Sequence, residues 1–230
     1  HRDLGIRHFY IRLEETPNLE AYLEEQPDVT LQIGQSTGMN EYEEKQVRQN
    51  SWVEESLRMA EQDGNGVEWL IQIDGDELLD GDLSEVQELP EEVRTFWMQN
   101  EEAKFSKVPK KEDSCFNASR MVNCAKEPKK CVSYGNGKGG GRVAKDVSAN
   151  FSHRMKSSLE KGGTTMKLTK VIVQHYESCD FDIYKEKFRQ LAVQDKPMKI
   201  PFSYYNDSID AAKKGGDQEL YKIYEKYRVE

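Results

Sequence analysis

The chain has no uninterrupted apolar run of about 18 residues, so the sequence offers no transmembrane helix. No secretory leader pattern is visible either. Histidines and cysteines are scarce, four of each among 230 residues. Cys115, Cys124 and Cys131 crowd one segment while Cys179 stands apart, and the spacing fits no zinc-ligand pattern. Free thiols in a reducing compartment are the expectation, ahead of disulfides. Basic residues are outnumbered, 33 against 42 acidic, which leaves a net charge of −9. That balance argues against a nucleic-acid partner, although basic residues gather around 104–145 and could hold an anion locally. Only 36% of residues are apolar and 33% are charged, yet the chain is long enough to bury a core.

What is present is an alternation of strand and helix patterns. Arg7–Leu13 (RHFYIRL) is rich in aromatic and β-branched residues and predicts a strand. Thr16-Pro17 reads as a helix start, with the helix running to about Glu25. Asp28–Ile33 predicts a second strand, and this rhythm points to a parallel sheet. Val53, Leu57 and Ala60 recur at helical spacing within a polar helix expected over 42–62. Further strands are expected over 68–73, 95–99 and 167–173. Helices are expected over 182–192, with Phe188 and Leu191 inward, and over 218–227, with Leu220, Ile223 and Tyr224 on one face. Lys104–Lys145 is basic, glycine-rich and aperiodic, and reads as long loops with short strands. The opening His1–Gly5 reads as the tail of a helix, so a strand and a helix are expected upstream of it.

The most informative residues are Asp74-Gly75-Asp76-Glu77, which follow the apolar run Trp69–Ile73. Carboxylates beyond the carboxyl end of a strand lie where α/β proteins bind ligands. Such a pair can hold a divalent ion that in turn holds a diphosphate. On this reading Asp76 binds the metal, Asp74 binds the ribose or joins the metal, and Glu77 orients the site or meets the acceptor. An ordinary surface turn is the plain alternative. His175 follows a strand about a hundred residues later, and a neutral imidazole can join carboxylates around Mn²⁺. A packed histidine is the alternative there. Tyr134–Arg142 (YGNGKGGGR) has glycines that let a backbone approach a ligand, with Lys138 and Arg142 supplying charge. It is no P-loop, because the spacing fails and no Ser or Thr follows Lys138. A solvated loop is the alternative. His153-Arg154 is a candidate for the acceptor side. Glu14 or Glu15 could contact the nucleotide, and capping of the next helix is the simpler role for one of them. Asn117, Asn150 and Asn206 each head an N-glycosylation triplet, which matters only in a secretory setting.

Taken in order, HRDLGIRHFYI, WLIQIDGDELL (69–79), YGNGKGGGR (134–142), SHR (152–154), QHYES (174–178) and PFSYYNDSI (201–209) resemble the GT-A superfamily of nucleotide-sugar glycosyltransferases. The chain is similar in particular to family-two-like members, viral and algal transferases with an Asp-x-Asp motif among them. The resemblance implies one α/β domain of GT-A type over 1–230. Its sheet would be Rossmann-like, mostly parallel, flanked by helices and lacking its first strand. Residues 1–100 would form the nucleotide-binding half and 101–230 the acceptor half. It implies a metal site of Asp74, Asp76 and His175 holding Mn²⁺ or Mg²⁺. It places Lys138 and Arg142 at the family's nucleotide-side stretch, although Gly139 stands where the family has a small polar residue, and Asp74 and Glu14 remain nucleotide candidates on their positions alone.

The expected activity is sugar transfer from a nucleoside diphosphate to an acceptor hydroxyl, on a glycan for instance. An inverting enzyme needs a general base, and Glu177, Asp180 and Asp182 are the candidates. A retaining route stays open. Two rival readings also stay open: a nucleotidyl- or phosphotransferase using the same metal site, and a non-catalytic carbohydrate-binding domain. The compartment is not legible from the sequence.

Overall fold

The computed structural model describes all residues except 15, 35–41, 65, 111–112, 115, 152, 160–163 and 194–201. It is an α/β structure. Strands β1 (Phe9–Glu14) and β2 (Val29–Gly34) pair in parallel through helix α1 (Pro17–Glu24), as the strand–helix–strand rhythm predicts. Helix α2 (Tyr42–Gln62) ends before a short strand β3 (Trp69–Ile71). Then come β4 (Glu77–Gly81), the short helix α3 (Ser84–Gln87), β5 (Val93–Lys104), β6 (Arg120–Asn123) and β7 (Lys138–Arg142). Strands β8 (Val147–Asn150), β9 (Arg154–Ser157) and β10 (Thr164–His175) precede three helices: α4 (Phe181–Ala192), α5 (Ser203–Lys214) and α6 (Asp217–Arg228).

The expected mostly parallel sheet is not confirmed. β1 and β2 form a two-stranded sheet of their own, and β8 and β9 form another. The six-stranded sheet is mixed, in the order β3-β7-β5-β10-β4 with β6 also on β5. Its β3–β7 and β5–β6 pairs are antiparallel. The glycine-rich segment contributes the first of these by running back as β7 between β3 and β5. The strand before the acidic turn, β3, lies at the sheet's edge.

Two compact units emerge, and neither is continuous in sequence. The first comprises His1–Gln72, Gly81–Trp97 and Gly139–Lys170. There the apolar stripe of α2 does what its spacing predicts: Val53 and Leu57 are buried against Val147 and Met155 of the β8–β9 hairpin. Arg94 pairs with Asp146, which also accepts from Ser157. Those bonds, Arg94 first, hold the Asp146 carboxyl down to about 2.

The second unit comprises Ile73–Asp80, Met98–Lys138 and Val171–Glu230. Its helices α4, α5 and α6 share a largely aromatic core of Val132, Tyr184, Phe188, Tyr204, Ala211, Leu220 and Tyr224. Each such buried aromatic side chain contributes on the order of 2–3 kcal/mol by burial alone. Phe188, Leu220 and Tyr224 are buried as the helical spacing predicts, and Leu191 and Ile223 pack against the same cluster. Asp180 starts α4 by accepting from the backbone N–H groups of Asp182 (2.6 Å) and Ile183 (3.1 Å). Helix α5 was not foreseen as a helix.

The expectation of free thiols is also corrected. Cys124 and Cys131 form a disulfide, with Cα atoms 5.7 Å apart. The turn between them is tightened by Asn123, whose side-chain oxygen accepts from the N–H groups of Ala125 and Lys126. Cys179 is disulfide-bonded as well. No helix of the described residues is long and apolar enough to cross a membrane.

Candidate metal centre

The acidic turn lies in the second unit and is held from several directions. The Glu77 N–H donates to the Asp74 carbonyl at 3.2 Å, and the Asp74 N–H donates to Glu77 Oε2 at 2.6 Å. The Tyr176 N–H donates to the Asp76 carbonyl at 2.9 Å. Glu77 is fully buried, and the Tyr134 hydroxyl donates to its Oε1. Lys138, also fully buried, brings its ammonium to 2.7 Å from Asp74 Oδ2 and 3.4 Å from Glu77 Oε2. Burial pushes the Glu77 carboxyl up, and Lys138 offsets only part of that. Burial disfavours the Lys138 ammonium too, but Glu77 and Asp74 outweigh it and keep Lys138 charged. The side chain of Asp76, by contrast, is 42% exposed.

His175 ends β10 and faces this turn. Its Nε2 lies 3.6 Å from Asp76 Oδ2 and 3.8 Å from Glu177 Oε2. Donor atoms of Asp76, His175 and Glu177 all lie within 4.8 Å of one another, the arrangement that could hold a metal ion. The other ring nitrogen is committed: Nδ1 lies 3.2 Å from Glu102 Oε2 and 3.1 Å from the Ser133 hydroxyl. Metal-binding histidines almost always have their far nitrogen fixed by a carboxylate, carbonyl or water in this way. Glu102 in turn accepts from Arg228 at 2.6 Å, with both side chains fully buried. Burial opposes the His175 imidazolium, but Glu102 and Asp76 more than compensate and raise its pKa well above the ordinary value. Burial likewise opposes the Glu177 carboxylate, yet Lys187 and His175 hold it well below the usual range. Lys187 donates to Glu177 Oε1, and the Tyr205 hydroxyl donates to its Oε2 at 3.0 Å.

The structure thus brings together Asp76, His175 and Glu177, with Asp74, Glu77 and Lys138 packed beside them. The other candidate residues have contacts of their own. Asp180 caps α4, and Asp182 is 63% exposed, 2.9 Å from Lys185. Arg142 belongs to the first unit. Its guanidinium donates to the carbonyls of Val93 (2.8 Å) and Pro90 (3.1 Å) and lies over the Trp69 ring. Glu14, also in the first unit, pairs with Arg12 at 3.0 Å and faces Arg48 at 3.6 Å. His153 lies in the turn of the β8–β9 hairpin. Glu15 lies outside the described residues, as do Ser152 and Pro201 of the family-like segments.

The second half of the glycine-rich segment, Lys138–Arg142, is the largely buried strand β7, and glycines in it and just before it are needed for packing. Gly137 has φ +69°, and a Cβ there would sit 1.9 Å from the Met98 carbonyl oxygen. At Gly140 a Cβ would meet the Phe96 ring at 2.5 Å and the Leu70 carbonyl at 2.7 Å.

Sequence reasoning missed Glu102, Ser133, Arg228 and Tyr205. Nothing in the sequence marks Glu102, which sits in the polar stretch Gln99-Asn100-Glu101-Glu102 of β5. A donor set of one imidazole nitrogen and two carboxylates suits Mn²⁺, which accepts mixed ligation, better than Mg²⁺, which prefers oxygen. No family model, curated protein or solved structure matches the chain.

Proposed function

We propose that this chain is a metal-dependent glycosyltransferase that moves a sugar from a nucleoside diphosphate to an acceptor hydroxyl. The order of the family-like segments supports the transferase part of this reading. The metal part rests on one observation: Asp76, His175 and Glu177 face a common point while Glu102 fixes the far side of the imidazole. Asp76, His175 and Glu177 would hold Mn²⁺. The bound ion would supply charge neutralisation on a departing diphosphate, a Lewis-acid role.

The protein's own groups prepare that site. Glu102 and Ser133 present His175 with Nε2 outward. Lys187 and Tyr205 restrain Glu177 so that its Oε2 stays on the His175 side. The exposed Asp76 provides the open edge from which a diphosphate would approach.

The test is calorimetric binding of UDP, GDP and dTDP, with and without Mn²⁺, to wild type and Asp76→Ala. Mn²⁺-dependent binding of one diphosphate, lost in the variant, is the expected result and ranks the base. Diphosphate binding that ignores both the metal and the substitution would overturn the reading. Turnover then separates the two chemistries, since sugar transfer releases nucleoside diphosphate and nucleotidyl transfer releases pyrophosphate.

A further inference from the structure

The family resemblance would put Asp74 on the metal or ribose and Lys138 on the diphosphate. The packing around them points elsewhere. A buried ammonium without a counter-charge costs several kcal/mol, so a fully buried lysine is tied to the carboxylates beside it. For Lys138 those are Asp74 Oδ2 at 2.7 Å and Glu77 Oε2 at 3.4 Å. The position of this lysine is itself fixed, because the preceding Gly137 presses against β5 with its positive φ. Glu77 then ties the turn to Tyr134 through the hydroxyl and to Asp74 through the backbone N–H. The Tyr134 ring packs 5.0 Å from the His175 ring. One connected set of side chains therefore holds both the acidic turn and the histidine that faces it.

We propose that Asp74 and Lys138 form an internal strut, a pair of positioning residues that aim Asp76 at His175. Neither touches the metal or the diphosphate. The two aspartates of the motif then have different jobs: Asp74 anchors the turn, and Asp76 alone reaches the ion. This inference rests on the metal reading of Asp76, His175 and Glu177.

The two are separated by titrating Mn²⁺ into the whole chain, reading affinity by calorimetry and folding by thermal melting. Asp74→Asn keeps an oxygen for Lys138 and should change Mn²⁺ affinity by less than about threefold. Asp76→Asn should lower it by well over tenfold. Lys138→Met should lower it by about 10–100-fold, the range for losing a group that orients a ligand. It also strands two carboxylates, so it is paired with Lys138→Met/Glu77→Gln. Removing one stranded charge there should recover part of the melting temperature and part of the Mn²⁺ affinity together. An Asp74→Asn protein that melts like wild type but loses Mn²⁺ as fully as Asp76→Asn would overturn the strut and make Asp74 a ligand. Lys138→Met that binds Mn²⁺ like wild type would overturn it too. Wild type that takes up no Mn²⁺ would instead remove the metal reading, and the positioning role with it.

Discussion

Glu102 is the residue on which the histidine depends. One of its oxygens serves His175 and Ser133, and the other accepts from Arg228. Burial raises the cost of its charge, and His175 and Arg228 more than offset that, so its carboxyl lies below the usual range. Glu102→Gln keeps the shape and removes the charge. It should lower Mn²⁺ affinity by about 10–100-fold, because the imidazole loses the carboxylate that fixes its orientation. It should also destabilise the protein by roughly 3–5 kcal/mol, because Arg228 is left buried without its counter-ion. Calorimetry and urea denaturation read the two effects separately. Unchanged affinity in the folded variant would show that Ser133 alone suffices to hold the ring. Asp76 and His175 end or follow apolar runs, so their places were legible in the sequence. Glu102 and Arg228 owe their burial to contacts 126 residues apart, which no local pattern carries.

Among the secondary-structure elements, amphipathic helices were the most legible in the sequence and the glycine-rich strand the least. Phe188 with Leu191 in α4, and Leu220 with Tyr224 in α6, stand at helical spacing and pack into one core. Strand β7 has the sequence KGGGR, which carries no alternation and no β-propensity, so nothing in it signals a strand. Its place in the sheet comes from neighbours that need bare backbone beside them, and sequence periodicity cannot show that. The start of α4 was half legible. Asp180 stood out as an acid near His175, but its work in the fold is to cap the helix. Removing the cap in Asp180→Ala should cost about 1 kcal/mol, while Asp180→Ser should restore most of it. For a chain of this size that is a fall in melting temperature of about 2–4 °C. A variant with wild-type melting but no turnover would return Asp180 to the catalytic role.

The molecule as a whole is organised by long-range pairing more than the strand–helix rhythm suggested. That rhythm found the parallel β1–β2 pair, but it could not register antiparallel pairs such as β3 with β7. Cysteine chemistry shows the same limit: the spacing matched no metal pattern, and the turn at Asn123 makes Cys124 and Cys131 a disulfide instead. Such bonds persist in oxidising compartments and are rare where thiols are kept reduced. The compartment therefore becomes a question that one bond can address. Peptide mapping of thiol-blocked, unreduced protein from its native source should recover the peptides of Cys124 and Cys131 still linked. Blocked thiols at both positions would place the working protein in a reducing compartment. The bond closes a short loop with a sequence separation of 7, so the chain-entropy model gives it about 2–3 kcal/mol of stabilisation. Cys124→Ser/Cys131→Ser should therefore stay folded but melt several degrees lower. Its Mn²⁺ affinity should be kept, because neither cysteine touches Asp76, His175 or Glu177. A double variant that melts like wild type would mean that the turn at Asn123 holds itself without the bond.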